Sequence, residues 1–503
     1  VYSASGGVTV SDDQAVITAT SKGGDASAIT PDSGDITVKE TSGVDLTAKT
    51  DEGTAAGVDV STGKTVDVTT GGAVSADVSG AFAYGFKAEK KGNTTADSLI
   101  DIATSKYITV KATATSGDAA GFYASGDIAK ITYKADGALN ISADATNGNA
   151  YGFRAENGGV ISGDSVGGTV AVKSTGGSAY GVNADNSTAN VGIQNMNVYS
   201  ASSNAGGVRA NSGDVTLAMN GDLAVNSAGS NVHSVAYGVH ALAGGSVKFT
   251  GVRNLNVSAD NGVGNGLYAS NGSVSGDAQS LTVNSKSSAF GVGAVYSGDV
   301  NLALNGDLTV NSESGDAYGV DAEDSGSVKF TGVRNLNVSA DNGVGYGLYS
   351  VYSGSVSGDA QSLTVTSASG QAYGIDISSD KVSTINIAKD LTVSGAAGGA
   401  GIEASGAAHQ ITVGGLTDVS IAAGGNNGVY AADSSNVNLT GGVSLDVTGT
   451  GDVSGIRAEN GGKITVSGDK AIVKASTAGV GAKAYALNNT GSGDITINNT
   501  GDV

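Results

Sequence analysis

The chain has 503 residues, with 81 glycines, one proline and no cysteine or tryptophan, and its 47 acidic and 26 basic side chains leave a net charge of −21. That balance argues against nucleic acid and anionic membrane surfaces as partners. No run of 18 apolar residues predicts a transmembrane helix, and the glycines have no collagen period.

One short element recurs from end to end: a glycine, an apolar residue, a variable residue and a small one. Clear copies are Gly85-Phe86-Lys87-Ala88, Gly152-Phe153-Arg154-Ala155, Gly181-Val182-Asn183-Ala184, Gly319-Val320-Asp321-Ala322 and Gly455-Ile456-Arg457-Ala458. Weaker copies begin at Gly57, Gly121, Gly207, Gly238, Gly266, Gly291, Gly347, Gly374, Gly401, Gly428 and Gly481, so the spacing is 25 to 31 residues with a single gap of 36. A fixed period of this size points to a solenoid, a propeller or an array.

In the copy Ala317–Val338, alternating runs at Tyr318–Ala322, Val328–Phe330 and Leu336–Val338 are separated by the turn residues Asp324-Ser325-Gly326 and Thr331-Gly332. Period-two alternation predicts strands with one buried face, and Gly, Asn, Asp and Ser clusters predict turns. The expected fold is therefore all-β: a single-stranded parallel β-helix (solenoid) with three short strands per coil of about 27 residues. About 18 such coils at the strand spacing would span roughly 85 Å. A propeller blade needs four strands and about 40 residues, and a coiled-coil adhesin needs heptads that are absent. Near-absence of proline suits strands paired on both edges.

In chain order, residues 1–56 read as degenerate N-terminal coils, with Ser27-Ala28-Ile29 where a marker belongs. Residues 57–206 hold clear coils and an expected projecting loop near 89–106, with the polar run Glu89-Lys90-Lys91-Gly92-Asn93. Residues 207–373 contain a duplication: Ser246–Gly264 repeats at Ser327–Gly345, 81 residues on, and Gly272–Val283 repeats at Gly354–Val365. Residues 374–503 continue as regular coils, so 1–503 reads as one continuous β-helix. No polar cap precedes Val1 and no amphipathic helix follows the last strand. Without an initiator methionine or signal peptide, the chain reads as a mature or excised fragment whose open ends invite self-association.

The residues before the marker glycine include Tyr84, Tyr151, Tyr180, Tyr237, Phe290, Tyr318, Tyr346 and Tyr373. Alternation puts them on the inner face with Val320 and Ala322, stacked in a column. The variable position after the apolar residue is then outward and solvated. There, Tyr123, Arg154, Asn183, Arg209, His240 and Tyr268 are candidate ligand-binding residues, and Lys90 and Lys91 are candidates on the loop.

Catalytic signals are weak. The three histidines, His233, His240 and His409, lack zinc spacing. Gly163-Asp164-Ser165-Val166-Gly167 matches GxSxG without a following helix pattern. Many aspartates sit in Gly-Asp turns such as Gly213-Asp214 and Gly298-Asp299. Neither a cofactor nor a metal site is expected.

In its stretches Ala150–Gly159 (AYGFRAENGG) and Gly455–Val466 (GIRAENGGKITV), and in repeat style along nearly the whole chain, the sequence resembles the passenger domains of bacterial autotransporters. The resemblance implies an outer-membrane origin and a surface location, with adhesion, self-association or biofilm formation as the role. On these grounds the expected function is that of a non-enzymatic extracellular rod, an adhesin or stalk meeting glycans or proteins of host or bacterial surfaces. A subunit polymerising end to end into a filament or surface layer is the alternative, and a glycan-active β-helix enzyme is a third.

Overall fold

The computed structural model describes residues 1–503 apart from 4–6, 230–232, 407–409, 416–417, 424–425, 442 and 500–503. It is an all-β solenoid of about 17 turns, roughly 28 residues each, with no helix among the described residues. The chain divides into two compact units, Val1–Asn256 and Val257–Val503. Among the described residues each holds nine strands of the marker-leg sheet, from Tyr2–Ser3 to Val235–Leu242 in the first and from Val263–Ser270 to Ala484–Thr490 in the second.

Each coil has three legs. The marker leg, here Ala317–Ala322, leads into a corner where Asp324 and Ser325 both take left-handed φ (47° and 69°). The second and third legs follow; in this coil they form one bent strand, Ser327–Ala340, hinged at Gly332 (φ 72°). The predicted turn Thr331-Gly332 is thus a bend inside a strand, and the register against the next coil shifts there, between Phe330 and Val333. Within each unit the described legs pair in parallel with the same leg one coil on. Ile131 sits between Ile100 and Ile161, and Ile141 between Val110 and Val170.

The degenerate N-terminal copy falls where expected, because Ser27 aligns with Ala56 and Ile29 with Val58. Two expectations move. Ser98–Thr104 is a second-leg strand paired with Thr65–Thr70 and with Ala129–Ala145, so the loop shrinks from 89–106 to 90–97. The C-terminal copy begins at Ala486 and not at Gly481: Tyr485, Leu487 and Asn488 align with Ser454, Ile456 and Arg457. Gly481 belongs to a turn (φ 81°), and Lys483 is not at a variable position.

The marker glycine is required by close approach. A Cβ built on Gly319 would lie 2.5 Å from the Gly347 carbonyl oxygen and 2.9 Å from Val338 Cγ2 on the third leg. The same clash with the next coil's glycine carbonyl recurs at Gly57, Gly85, Gly121, Gly152, Gly266, Gly374 and Gly428. Inside, the apolar residue after the glycine forms a buried column, with Phe86–Phe122 and Phe122–Phe153 ring centroids 5.2 and 5.3 Å apart.

Polar side chains bridge coils at the corners in two directions. A Ser or Thr ending the third leg donates to a turn carbonyl of the preceding coil: Thr50 to Gly24 (2.7 Å), Ser174 to Gly148 (2.8 Å), Ser285 to Gly262 (2.6 Å), Ser367 to Gly343 (2.7 Å) and Thr477 to Gly451 (2.8 Å). Several of these oxygens also accept the N–H three residues on, as Ser174 does from Gly177 (2.9 Å). An Asp or Asn before a leg accepts a backbone N–H from the following coil, as Asp118 does from Asn149 (2.9 Å) and Asp316 does from Val344 (2.8 Å).

Gly319→Ala is expected to lower stability by about 1–3 kcal/mol through overpacking, and the exposed corner change Ser325→Ala to alter it by less than about 0.5 kcal/mol. Urea unfolding of both variants beside the wild type checks this.

Candidate functional site

The outer surface of the marker legs carries the most concentrated side-chain chemistry, and its composition differs from the sequence expectation. In Ala317–Ala322, Ala317, Gly319, Val320 and Ala322 are all buried, so two successive positions point inward at the glycine and the alternation is reset. The tyrosine before the glycine and the variable residue therefore share the outer face; Tyr237 and His240 stack with centroids 4.1 Å apart. The tyrosines do form columns, with Tyr151–Tyr180 at 5.7 Å and Phe290, Tyr318, Tyr346 and Tyr373 stacked at 4.8–5.4 Å, but outside the core and not in it. Nor is the variable position a solvated stripe: Tyr123, Asn183, His240 and Asp321 are 8% or less exposed.

In the first unit the ladder places five of the candidate residues in one row, Tyr123, Arg154, Asn183, Arg209 and His240, one per coil. The Arg154 guanidinium bonds Asp118 (2.7 Å) and Glu156 (2.9 Å) and lies over the rings of Tyr151 and Tyr123, 4.6 and 5.3 Å from their centroids. Tyr123 donates its hydroxyl to Glu156 (2.6 Å). Burial opposes the Arg154 charge, but Tyr151, Glu156 and Asp118 outweigh it and push its pKa up. Arg209 donates to Asn183 Oδ1 (3.1 Å) and lies over Tyr180. Lys87 pairs with Glu89 (2.8 Å) and Asp59 (3.7 Å). Burial and the nearby Arg209 push the His240 pKa down to about 3, so it stays neutral at physiological pH. Lys90 and Lys91 are not part of this row: Lys90 pairs with Asp127 (2.8 Å) at a corner and Lys91 is exposed on the loop.

The second unit repeats the cationic arrangement once. Arg457 bonds Glu459 (2.6 Å) and lies over Tyr430, whose hydroxyl also bonds Glu459. The two stretches GFRAEN and GIRAEN are thus Arg-x-Glu clamps on a tyrosine, a two-residue spacing that puts both side chains beside each other on one face of the strand. Between Ala317 and Ala404 the face is acidic instead. Asp321, Tyr349, Asp376 and Glu403 align one per coil beside Tyr318, Tyr346 and Tyr373. Burial, and then Glu403, push the Asp376 pKa up to about 7; burial and Glu323 push Asp321 well above the usual carboxylate range. Tyr268, the remaining candidate, leans its ring over Gly293, the residue aligned with it on the next coil.

The catalytic patterns find no site geometry. Ser165 lies within the strand Val160–Gly167 with no strand-to-helix elbow, and its hydroxyl donates to Gly192 O (2.9 Å). His409 lies outside the described residues, and no group of three or more His, Cys, Asp or Glu suited to a metal ion occurs among the described residues. A polar groove of about 420 Å³ follows the third-leg corners and is lined by Asp260, Asn284, Lys286, Asn311, Glu313 and Asp341, among others. No helix among the described residues is long and apolar enough to cross a membrane. Comparison with known protein families, curated proteins and solved structures returns no match.

Two outcomes follow. Arg154→Met leaves Asp118 and Glu156 half-buried without their cation and should lower stability by about 2 kcal/mol, with Arg154→Lys recovering only part because it loses the fork; thermal unfolding of both variants reads this. For Asp376, the folded pKa lies above the ordinary 3.8, so the folded state binds the extra proton. Its contribution is fully present near pH 4 and is lost as pH rises to about 7, by up to about 4 kcal/mol. The unfolding midpoint should therefore fall across that window, and Asp376→Asn should flatten the fall.

Proposed function

We propose that the chain is a non-enzymatic extracellular rod, an adhesin or stalk on a bacterial surface of the autotransporter-passenger type. The observation that carries this reading is the matched burial of the duplicated segments. Ser273–Ser285 and Ser355–Ser367 fold as the same bent strand, and twelve of their thirteen positions share one burial class. Whole coils are therefore interchangeable, which suits a scaffold whose length is adjustable. A catalytic pocket depends on particular residues from particular coils and gains nothing from such exchange.

The hydrogen-bonding chemistry supports the same reading. Several aspartates of the turns, among them Asp25, Asp35 and Asp452, accept backbone N–H groups from the following coil (2.8 Å each). Their carboxylates serve coil stacking. Contact with surface glycans or proteins falls to side chains that stand clear of the ladder. Tyr296 and Tyr352 do so, 63% and 74% exposed at left-handed corners (φ 50° and 49°). Bulky aromatics are rare in that conformation.

Immunogold labelling of intact producing cells, with negative-stain microscopy of the purified chain over a concentration series, tests the proposal. Surface label together with discrete particles at all concentrations is the expected result. Label confined to the cell interior overturns the extracellular role, and filaments that lengthen with concentration replace the stalk with a polymer subunit.

A further inference from the structure

We propose that the outer face of the marker legs between Ala317 and Ala404 binds an organic cation, an ammonium or guanidinium group stacked on its tyrosines and neutralised by Asp321 and Asp376. The chain supplies its own template for this chemistry. On the same face of the first unit, Arg154 stacks on Tyr151 and Tyr123 while bonding Asp118 and Glu156. Lys87 lies near Tyr84 (5.9 Å) between Asp59 and Glu89. There, tyrosines and carboxylates come with a cation from the chain itself.

From Ala317 to Ala404 the tyrosines and carboxylates are present without such a cation. No ion pair reaches Asp321, Asp376 or Glu403 among the described residues. The nearest guanidinium acting on Glu403 is Arg457, two coils on. Asp321 is 2% exposed, and its Oδ1 has no hydrogen-bond partner. A buried, unbonded carboxyl oxygen carries a desolvation cost that a bound cation would offset.

The surroundings select the class of ligand. Asp321 sits beside Tyr318 and Glu323, with Tyr349 next in the ladder. The Tyr349 ring is tilted 60° to Tyr318 and 50° to Tyr346 at 5.5 and 4.7 Å. Asp376 follows Tyr349 in the ladder, so the two aspartates stand two coils apart, roughly 10 Å. An aspartate and one neighbouring glutamate among aromatic rings do not build the six-oxygen shell of a hard metal ion, and no metal-binding group occurs among the described residues. A soft, flat or alkylated cation gains ring contact and charge pairing together. Tyr349 is half-buried and is the surface on which the incoming group stacks. Because burial raises the proton affinity of both aspartates, pairing them with a cation releases protons.

The test is calorimetric titration of the purified full chain at pH 7, in two buffers of different ionisation enthalpy. Agmatine represents a free small-molecule guanidinium, and acetyl-Gly-Arg-Gly-amide a peptide-borne one; the tighter binder identifies the source. Saturable binding with net proton release is expected. Asp321→Asn and Asp376→Asn should each weaken it about tenfold or more, the loss of a charge-assisted contact. Tyr349→Arg places a guanidinium between the two aspartates, so it should abolish binding and raise the thermal midpoint; it keeps the test decisive should an asparagine variant fail to fold. No binding up to about 10 mM, binding unchanged in the Asp→Asn variants, or binding without proton release overturns the proposal.

Discussion

At marker glycines such as Gly319 two backbones meet with no side chain between them, and the rest of the coil is arranged around that contact. With hydrogen in place of Cβ, the marker leg of Ala317–Ala322 settles against Leu336 and Val338 of the third leg and against the next coil's carbonyl. The approach also resets which side chains face inward. Val320 and Ala322 fill the core, while Tyr318 and Asp321 come out together on the other side. The glycine thus sets the thickness of the core and the composition of the outer face at once.

The fold was legible because its signals are local and repeated. Period-two alternation, turn residues and a spacing near 27 agree over hundreds of residues, and even the degenerate Ser27-Ala28-Ile29 falls in register. The outer face was not legible, because strict alternation carries Tyr318 inward if it is counted across Gly319. Only the three-dimensional clash shows that the count restarts there. The Gly481 misassignment has a related cause: Gly-Ala-Lys-Ala matches the marker in letters, while Ala486 matches it in place. The spacing Arg154-x-Glu156, repeated at Arg457-x-Glu459, was a written signal of the ion clusters; the second partner of Arg154, Asp118, comes from the coil before and is visible only in space.

The same face carries opposite electrostatics in different coils. Where Arg154 or Arg457 is present, carboxylates and tyrosines hold a charged, hydrogen-bonded cluster. Where Asp321 and Asp376 occupy the variable position, burial favours the protonated acid. One backbone geometry therefore serves both, and the choice of a single residue per coil decides whether the surface fixes charge permanently or exchanges it with the medium.

The corner hydrogen bonds have a direction. Hydroxyls such as Ser174, Ser285 and Ser367 donate backward to the coil already formed, while carboxylates and carboxamides such as Asp118, Asn149 and Asp316 accept forward from the coil that follows. A finished coil thus presents acceptors that its successor satisfies, and each new coil closes a loop of only about one repeat. Chain growth on such a template proceeds stepwise, without contacts between distant parts of the sequence. A chain pulled from one end would therefore come apart one coil at a time, each step breaking the corner bonds of a single repeat.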